Sequence, residues 1–254
     1  MVSRPLGKTG IFVSSIGLGT TKLGRNTDVK YPKNFALPSD EEVRELLETT
    51  LALGVNLIDT APAYGESEAR LGQFIAQHRD QLVLCTKCGE QYRNGKSTYN
   101  FSAAALSASV DASLRRLRTD HLDILLLHSD GRDVEILSQS EVPETLAGFK
   151  KIGKTRFIGI SAKTAEGISL AADMLDVVMA PFSQQDPSLA AALKDARGRG
   201  LGILAIKALY SGHLDASTAI EFVLRQPFID AVVVGTINPQ HLREAVGTAQ
   251  RVLT

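Results

Sequence analysis

Short apolar runs alternate along the chain with longer segments in which apolar residues recur every three or four positions. The short runs predict strands covered on both faces, and the longer segments predict amphipathic helices. The predicted strands are residues 16–20, 55–59, 82–87, 124–128, 156–161, 177–180, 202–206 and 231–235. The predicted helices are residues 41–53, 103–117, 140–152, 164–175, 188–199, 217–225 and 239–252.

Eight strands that alternate with helices predict the α/β class and, at 254 residues, a single (β/α)8 TIM barrel over residues 1–254. Residues 6–10 and 11–13 predict a short β-hairpin that caps the bottom of this barrel. An open doubly wound sheet is the alternative fold. Its dinucleotide fingerprint is missing, because Gly17 and Gly19 are not followed by a third glycine that opens a helix.

Three predicted loops, residues 22–39, 88–101 and 129–139, are long. Each follows a strand, so in a barrel all three lie at the C-terminal face, where barrel enzymes build their active sites. Long loops in a compact domain are usually functional. We therefore expect the functional residues to lie at this face.

Charge and hydropathy narrow the classes of partner. The 28 basic residues balance 28 acidic ones, so no basic surplus favours nucleic acid or an anionic membrane. No apolar run reaches the roughly 20 residues of a membrane span, and the N-terminus lacks an apolar signal core. We expect a cytoplasmic protein and, without a coiled coil or an interface stripe, a monomer rather than an oligomer.

The two cysteines, Cys85 and Cys88, fall in one predicted strand and its end. Residues three apart in an extended strand lie about 10 Å from each other, too far for a disulfide. A zinc site would need a second pair of ligands at matching spacing, which the sequence lacks. Neither a disulfide nor a metal site is expected.

Polar residues stand at or just beyond the ends of three successive predicted strands. Asp59 ends the second strand, and Tyr64 follows in its loop. Lys87 ends the third strand, and His128 ends the fourth. Because neighbouring barrel strands lie about 5 Å apart, these side chains can converge.

The chemistry of these four groups suits the reduction of a carbonyl, which needs a hydride on carbon and a proton on oxygen. A tyrosine, with an ordinary pKa of about 10, is a weak acid, and a neighbouring ammonium lowers this pKa. Asp59 can keep a buried Lys87 charged, and His128 can donate a hydrogen bond to the carbonyl oxygen. A purely structural Asp–Lys pair and a histidine satisfied in the core are the alternatives.

Six motifs follow one another in register with these residues. They are LGKTG at 6–10, GLGT at 17–20, GVNLIDTAPAYG at 54–65, CTKCG at 85–89, DILLLH at 123–128 and GKTRFIGIS at 153–161. Together they resemble the hairpin, first strand, signature, lysine motif, histidine strand and fifth strand of the aldo-keto reductase family. The resemblance spans nearly the whole chain.

The resemblance implies a barrel that binds NADPH, less often NADH, and passes hydride to a small carbonyl substrate. Tyr64 would be the general acid, tuned by Lys87 and Asp59. His128 would orient the carbonyl. The cofactor contacts that the resemblance implies are Thr20, Asp59, Ser161, Phe182, Lys207, Leu209, Ser211, Gly212, Gly235, Thr236, His241 and Glu244.

Several positions depart from the family's pattern. Ala162 stands where the family often has an asparagine that holds the nicotinamide amide, and Met179 where it usually has a glutamine. Ile237 and His241 occupy the region of the basic residue that grips the 2′-phosphate, and Ala245 replaces a frequent asparagine. The preference between NADPH and NADH is therefore open.

Two of the implied contacts have a structural alternative, since Phe182 can be a core residue and Lys207 can face solvent. Arg243, near the implied 2′-phosphate site, can also face solvent. The chain ends soon after its last predicted helix, whereas many relatives have a C-terminal tail that walls the substrate pocket. We expect a more open pocket, lined from the long loops by Tyr31, Phe35, Tyr92 and Tyr99.

The favoured function is thus an oxidoreductase that reduces an aldehyde or ketone with NADPH or NADH. A non-catalytic nicotinamide-nucleotide-binding subunit or redox sensor on the same barrel is the first alternative. A Schiff-base lyase that uses Lys87 or Lys207 is the second. Asp59 disfavours it at Lys87, because a carboxylate stabilises the protonated, non-nucleophilic amine.

Overall fold

The computed structural model describes residues 1–29, 34–139 and 141–254, without the side chain of Ser211. In these residues, eight parallel strands close into a barrel, and helices connect successive barrel strands. The predicted (β/α)8 fold is confirmed, and the open doubly wound alternative is excluded by the closure of the sheet.

The strands are β1 (Ser3–Pro5), β2 (Phe12–Ser14), β3 (Ile16–Gly19), β4 (Leu57–Asp59), β5 (Val83–Cys88), β6 (Glu90–Arg93), β7 (Lys96–Tyr99), β8 (Leu122–His128), β9 (Thr155–Ser161), β10 (Val177–Pro181), β11 (Gly202–Ile206) and β12 (Ala231–Gly235). The helices are α1 (Thr21–Gly24), α2 (Asp40–Ala52), α3 (Ser67–His78), α4 (Ala103–Leu117), α5 (Asp133–Ser138), α6 (Glu141–Lys151), α7 (Ala165–Ala171), α8 (Ala190–Arg199), α9 (Ala216–Leu224) and α10 (Pro239–Leu253). Around the barrel the order is β3-β4-β5-β8-β9-β10-β11-β12, and β12 pairs with β3.

Side chains along each barrel strand alternate between two apolar layers. In β8, Ile124 and Leu126 lie inside the barrel, whereas Leu125 and Leu127 pack towards the surrounding helices. The next residue, His128, consequently points inward at the C-terminal end of the strand. The same alternation turns the last residues of several strands towards one another at this end.

The hairpin β1–β2 closes the opposite end of the barrel. Its buried residues Leu6, Ile11 and Val13 belong to the same apolar cluster as the interior side chains. Gly7, at a φ of 53°, lies so close to the backbone of residues 200–202 that a side chain would not fit. The hairpin caps the barrel bottom as predicted, although its connection is longer than the predicted turn.

Helix boundaries follow local capping. At the start of α2, Ser39 Oγ accepts a hydrogen bond from the backbone nitrogen of Glu42 at 3.2 Å, and the Glu42 carboxylate accepts one from the backbone nitrogen of Ser39 at 2.7 Å. After the helix, Gly54 takes a φ of 73°, which glycine adopts at little cost. Ser140, the predicted first residue of another helix, lies outside the described residues.

Three helices, the short α1 and α5 and the longer α3, were absent from the sequence prediction. In α3, the buried residues Leu71, Phe74 and Ile75 follow the spacing of three and four that marks an amphipathic helix. That signal was available in the sequence and was overlooked. The shorter α7, which ends at Ala171 rather than at the predicted residue 175, is a difference of helix length alone.

The long loops also contain regular structure. The predicted loop 88–101 holds the antiparallel hairpin β6–β7, which turns at Asn94 and Gly95 with φ values of 50° and 77°. Two-residue turns with both φ values positive favour Asn-Gly, because these residues adopt that backbone most readily. The hairpin stands beside the C-terminal end of the barrel and brings further side chains to it.

Candidate active site

The inward positions at the C-terminal ends of the barrel strands form one ring. In barrel order they are Gly19, Asp59, Lys87, His128, Ser161, Pro181, Ile206 and Gly235. The part supplied by β4, β5 and β8 is ionisable. The part supplied by β9 to β12 and β3 is small, apolar or hydroxylic. This end of the barrel thus has an ionisable side and an uncharged side.

Lys87 and Asp59 form a buried ion pair at the base of the site. Nζ of Lys87 lies 2.5 Å from Oδ1 of Asp59 and also donates to the carbonyl oxygen of Thr60 at 3.0 Å. Lys87 is only 1% exposed. Burial by itself would lower the pKa of Lys87, but Asp59, together with Tyr64 and Cys85, outweighs it and raises this pKa above its usual value. Lys87 therefore stays charged, and the carboxylate of Asp59 is occupied by this ion pair.

Tyr64 lies at the end of the 3₁₀ turn Pro62–Tyr64, above this ion pair. Nζ of Lys87 is 4.8 Å from the centroid of the Tyr64 ring, and the ring of His128 is 6.1 Å away, edge to face. Burial raises the pKa of Tyr64, and the ammonium of Lys87 only partly offsets this. The expected lowering is wrong for the protein alone, because burial outweighs the neighbouring charge. Tyr64 keeps its proton at neutral pH.

The Tyr64 turn is held against the segment that follows β3. Nη1 of Arg25 donates to the carbonyl oxygen of Ala63 at 3.1 Å. A Cβ placed on Gly24 would overlap the carbonyl oxygen of Tyr64. Gly65, at a φ of 60°, provides the backbone conformation by which the chain leaves the turn. The position of the phenol thus depends on a close approach between two backbone segments.

Gly24→Ala is expected to lower both stability and kcat. The new methyl group would push the Tyr64 turn outward, and such overpacking costs about 1–3 kcal/mol. A displacement of about 1 Å at a catalytic group can cost about 100-fold in rate. Gly148→Ala in α6 is the matched control, because no atom lies within 4 Å of its new Cβ. Thermal unfolding and steady-state kinetics measure both effects, and an unchanged kcat in Gly24→Ala would contradict the expectation.

His128 bounds the ionisable side of the ring, and its neighbour is a carboxylate. Nδ1 of His128 lies 2.7 Å from Oε2 of Glu90, the first residue of β6. The contact is off the line of an in-plane hydrogen bond, and Nδ1 is buried. Burial lowers the pKa of His128, although Glu90 opposes the shift. The imidazole of His128 is therefore mainly neutral at neutral pH.

Glu90 is itself buried, at 6% exposure. Oε1 accepts a hydrogen bond from Oγ of Ser97 at 2.5 Å and lies 4.0 Å from Nη1 of Arg25. Burial alone would raise the pKa of Glu90, but His128, Ser97 and Arg25 outweigh it and hold this pKa at about 2. Sequence reasoning missed Glu90, because the hairpin that carries it was interpreted as a loop.

Arg25 also joins the loop after β3 to the hairpin. Its guanidinium carbon lies 3.6 Å from the centroid of the Tyr92 ring. The hydroxyl of Tyr92 in turn lies 2.7 Å from Oγ1 of Thr27. These contacts build a wall of mixed aromatic and polar character beside His128 and Tyr64.

The other predicted pocket residues have different surroundings. Phe35 is half-buried, with Nζ of Lys22 5.2 Å from its ring centroid. Tyr99 is 37% exposed, and its ring stacks beside Phe101 at 6.4 Å between centroids. Tyr31 lies outside the described residues. Burial and the carboxylate of Glu90 raise the pKa of Tyr99 to about 12, so Tyr99 lies against the site as Tyr92 does.

The uncharged side of the ring leaves room for a flat ligand. Gly19 and Gly235 are paired across β3 and β12, and Gly235 is exposed. A Cβ on Gly19 would lie 3.5 Å from Cα of Gly235, so a side chain would fill the space between the strands. Ser161 ends β9, and the half-buried Ile206 ends β11. Bare backbone, a hydroxyl and an apolar face are together suited to a nicotinamide ring.

Two of the predicted cofactor contacts have almost no free side-chain surface. Thr20 is fully buried, and its Oγ1 donates to the carbonyl oxygen of Asp59 at 2.9 Å. Phe182 is 2% exposed and belongs to the outer layer, with its ring 5.8 Å from that of Phe222 and 5.6 Å from that of Phe228. Both side chains point away from the ring of inward positions. The core alternative is therefore the correct interpretation of Phe182.

The loop after β11 lies at the same end of the barrel. Lys207 and Gly212 are exposed, and Leu209 is half-buried against the outer layer. Lys207 adopts a φ of 57°, an uncommon conformation for a residue with a side chain. The side chain of Ser211 is not described. Cofactor contacts from this loop stay predictions.

The segment that opens α10 carries the remaining predicted contacts. Thr236 is buried, and its Oγ1 accepts a hydrogen bond from the backbone nitrogen of Asn238 at 3.0 Å, so the hydroxyl shapes the turn. His241 and Glu244 are exposed, and Glu244 accepts a hydrogen bond from Nε2 of Gln240 at 3.2 Å. His241 and Glu244 can reach a ligand, whereas Thr236 has little free surface.

The positions that depart from the family's pattern contribute little surface here. Ala162 and Ala245 are buried in the outer layer, and Met179 is buried in the barrel interior below the ring. Arg243 extends towards α2, where its Nη2 lies 3.5 Å from Oγ1 of Thr49. The basic group expected at a 2′-phosphate is therefore not assigned by these contacts.

Across residues 1–29, 34–139 and 141–254, His, Cys, Asp and Glu side chains form no cluster of three or more that could hold a metal ion. Over the same ranges, no helix has the length and apolar character needed to cross a bilayer. Cys85 and Cys88 are both buried and unpaired.

Comparison with known proteins identifies the family. Residues 15–219 match the model of the Aldo/keto reductase family, and the chain belongs to this family. L-galactose dehydrogenase of Arabidopsis thaliana is 31% identical, over 83% of this chain and 66% of its own length. The NADH-specific methylglyoxal reductase of Escherichia coli is 30% identical, over 86% of this chain and 71% of its own. An aldo-keto reductase structure from Pseudomonas aeruginosa is 41% identical, with a TM-score of 0.91 over 99% of this chain and 95% of that chain.

The family resemblance inferred from the motifs is confirmed. The chain nevertheless spans only 66%, 44% and 49% of the lengths of three curated relatives that it matches. Dehydrogenase and reductase activities are properties of the relatives that bear those names.

Proposed function

We propose that this protein reduces aldehydes or ketones to alcohols with hydride from a nicotinamide nucleotide, and that Tyr64 is the general acid. The observation that carries the proposal is the convergence of three groups at one end of the barrel. Nζ of Lys87 lies 4.8 Å from the Tyr64 ring centroid, and the His128 ring lies 6.1 Å from the same ring. A protonated phenol, a fixed cation and an imidazole together match the needs of carbonyl reduction.

Tyr64 would donate its hydroxyl proton to the substrate oxygen while hydride reaches the carbonyl carbon. The raised pKa of Tyr64, caused by burial, keeps this proton in place throughout the neutral range. Lys87 would stabilise the phenolate that is left, because its charge is fixed by Asp59 and lies in a site of low dielectric. His128 would bind the carbonyl oxygen from the other side.

The cofactor would occupy the uncharged side of the ring. When bound, a reduced nicotinamide nucleotide supplies the hydride from C4 of its ring. Ser161, Ile206, Gly19 and Gly235 would hold the nicotinamide, and the exposed Lys207 would add positive charge near the pyrophosphate. The other predicted contacts kept in the proposal are those from Asp59, Leu209, Ser211, Gly212, Thr236, His241 and Glu244.

The proposed substrates are small oxidised sugars or ketoaldehydes. Relatives are named for methylglyoxal, L-galactose and D-threo-aldose, all of which are small and oxygen-rich. The wall formed by Arg25, Thr27 and Tyr92 offers hydrogen-bonding groups beside an aromatic face, which suits such compounds. Nucleic acid and lipid surfaces are not among the proposed partners, because acidic and basic residues balance.

Purified protein is expected to oxidise NADPH or NADH when methylglyoxal or an aldose is added. The physical reason is the proton donor Tyr64 beside the uncharged side of the ring, where the nicotinamide is proposed to bind. Cofactor absorbance, followed with each nucleotide and a panel of carbonyls, gives the measurement, and alcohol oxidation with NAD(P)⁺ gives its reverse. Protein heated to loss of fold is the control.

Tight nucleotide binding without turnover on any carbonyl would instead favour the non-catalytic subunit or redox sensor. Co-purification of a partner protein would strengthen that alternative. A Schiff-base lyase is disfavoured, because the raised pKa of Lys87 keeps its amine protonated beside Asp59. Borohydride trapping of a substrate adduct on Lys87 would revive it.

A further inference from the structure

Glu90 contacts His128 but is not one of the four predicted catalytic residues. We propose that Glu90 is a positioning residue that keeps a proton on Nδ1 of His128, so that carbonyl reduction requires the imidazolium form of this histidine. This inference rests on the proposed reductase function, because it concerns how His128 meets the substrate oxygen.

The placement of the proton follows from the distance. Oε2 of Glu90 lies 2.7 Å from Nδ1 of His128. Although the contact is off the line of an in-plane hydrogen bond, a bare Nδ1 at that distance would set its negative end against a carboxylate oxygen, whereas an Nδ1–H is attracted to it, so the contact favours a proton between the two groups. The hydrogen bond from Oγ of Ser97 and the nearby guanidinium of Arg25 lower the pKa of Glu90 independently of His128, and both favour its ionised carboxylate. The proton therefore belongs to Nδ1.

The second ring nitrogen then faces the pocket. The His128 side chain is 18% exposed, and its Nδ1 edge is buried against Glu90. The accessible edge is therefore the one that carries Nε2. A neutral imidazole has a single proton, so a ring protonated on Nδ1 presents a bare, hydrogen-bond-accepting Nε2.

A carbonyl oxygen is also an acceptor, so it cannot bind a bare Nε2. Only the imidazolium form, which carries protons on both nitrogens, donates a hydrogen bond to the substrate from this position. Glu90 thereby ties the use of His128 in reduction to its protonation. Without a carboxylate at this position, the neutral ring could carry its proton on Nε2 and donate in that form.

The groups that face His128 fix the direction of the pH dependence. They are Glu90 from β6, Lys87 from β5, Asp59 from β4 and the neutral Tyr64 from the turn after β4. Burial lowers the pKa of His128, Glu90 and Asp59 raise it, and Lys87 lowers it, with a net lowering. The imidazolium is present below this pKa and is lost as the pH rises through it. Reduction is therefore expected to be fastest at acid pH.

Glu90→Gln is the decisive variant. The wild-type kcat/KM for reduction should fall about tenfold per pH unit above the pKa of His128, between about pH 5 and pH 8. In Glu90→Gln the amide can either donate or accept, so the neutral ring can be protonated on Nε2 and the profile should be nearly flat. Glu90→Asp, which keeps a carboxylate, should retain the wild-type slope. Glu41→Gln is the control for charge, because Glu41 is an exposed residue of α2.

The tautomer can be observed without cofactor or substrate. Long-range ¹H–¹⁵N spectra of protein labelled at its 5 histidines distinguish Nδ1–H from Nε2–H, and His128→Gln assigns the signal. The neutral ring should be protonated on Nδ1 in the wild type and should shift towards Nε2–H in Glu90→Gln. An Nε2–H tautomer in the wild type overturns the proposal, whether or not the variant folds.

Failure of this inference differs from failure of the proposed function. If Tyr64→Phe is inactive while wild type and Glu90→Gln share one pH profile, only the role of Glu90 is rejected. If Tyr64→Phe is fully active, the general acid is rejected, while the tautomer measurement still decides the state of His128.

Discussion

Tyr64→Phe is expected to lower kcat for carbonyl reduction by about 10²–10⁴-fold, the usual contribution of a general acid. The substitution removes the hydroxyl alone and leaves the ring, which packs near Lys87 and edge-on to His128. Stopped-flow absorbance under single-turnover conditions measures the hydride-transfer step directly. Fluorescence titration should show unchanged binding of the nucleotide. The phenol lies on the ionisable side of the barrel end, whereas the nicotinamide is proposed to bind on the uncharged side.

The pH dependence of the wild type offers an independent check of this role. Since burial raises the pKa of Tyr64, the acid form persists through neutral pH and is lost only in alkaline solution above its usual value of about 10. The Tyr64 limb of the profile should therefore lie on the alkaline side and vanish in Tyr64→Phe. A fall in the reduction rate as the pH rises through the mildly acid and neutral range is instead expected from loss of the imidazolium form of His128. Persistence of the alkaline limb in Tyr64→Phe would assign it to another group.

The barrel could be predicted because its strands are short, apolar on both faces and separated by amphipathic helices. This pattern depends on the two apolar layers, which are visible in a strand such as β8 without knowledge of its neighbours. Hairpin β6–β7 was not predicted, since the composition of its strands is polar and its burial is partial. Its turn at Asn94 and Gly95 was the signal available in the sequence.

The candidate catalytic residues could be found because three of them end adjacent strands, and closure of the barrel brings strand ends together. Glu90 could not be found in that way. Its contact with His128 depends on how the hairpin folds back over β8, a long-range packing that spacing does not encode. The net pKa of Tyr64 was likewise misjudged, because the number of atoms that bury a side chain is not visible from its neighbours in sequence.

The burial of Thr20 and Phe182 has one cause. Successive strand residues face opposite sides of the barrel, so a shift of one position exchanges the interior for the outer layer. Ile206, which sequence reasoning did not select, points inward at the end of β11, whereas Phe182 packs outward beside Phe222. Motif alignment identified this end of the barrel but not which of its side chains point inward.

Lys87→Met is expected to destabilise the fold and to abolish reduction. The variant leaves the carboxylate of Asp59, 3% exposed, without the ammonium that lies 2.5 Å away in the wild type. Removal of one partner of a buried ion pair typically costs about 3–5 kcal/mol. Urea denaturation measures the free energy of unfolding, and steady-state kinetics in protein that remains folded measures the loss of kcat.

The same pair has a defined pH range in the wild type. The pKa of Lys87 in the folded protein is raised, so its stabilising contribution is fully present below the value in the unfolded chain, about 10.4. That contribution is lost only as the pH rises through the folded value. The stability difference between wild type and Lys87→Met should therefore persist across neutral and mildly alkaline pH and shrink in strong base.

The double variant Asp59→Asn, Lys87→Met separates the two roles of the pair. Both charges are absent, so most of the stability lost in Lys87→Met should return, since a neutral pair of similar volume leaves no isolated buried charge. Activity should not return, because Tyr64 would still lack the cation that stabilises its phenolate. Recovery of both stability and reductase activity would show that the ion pair serves the fold alone. If Lys87 is catalytic, the double variant should recover stability but not activity.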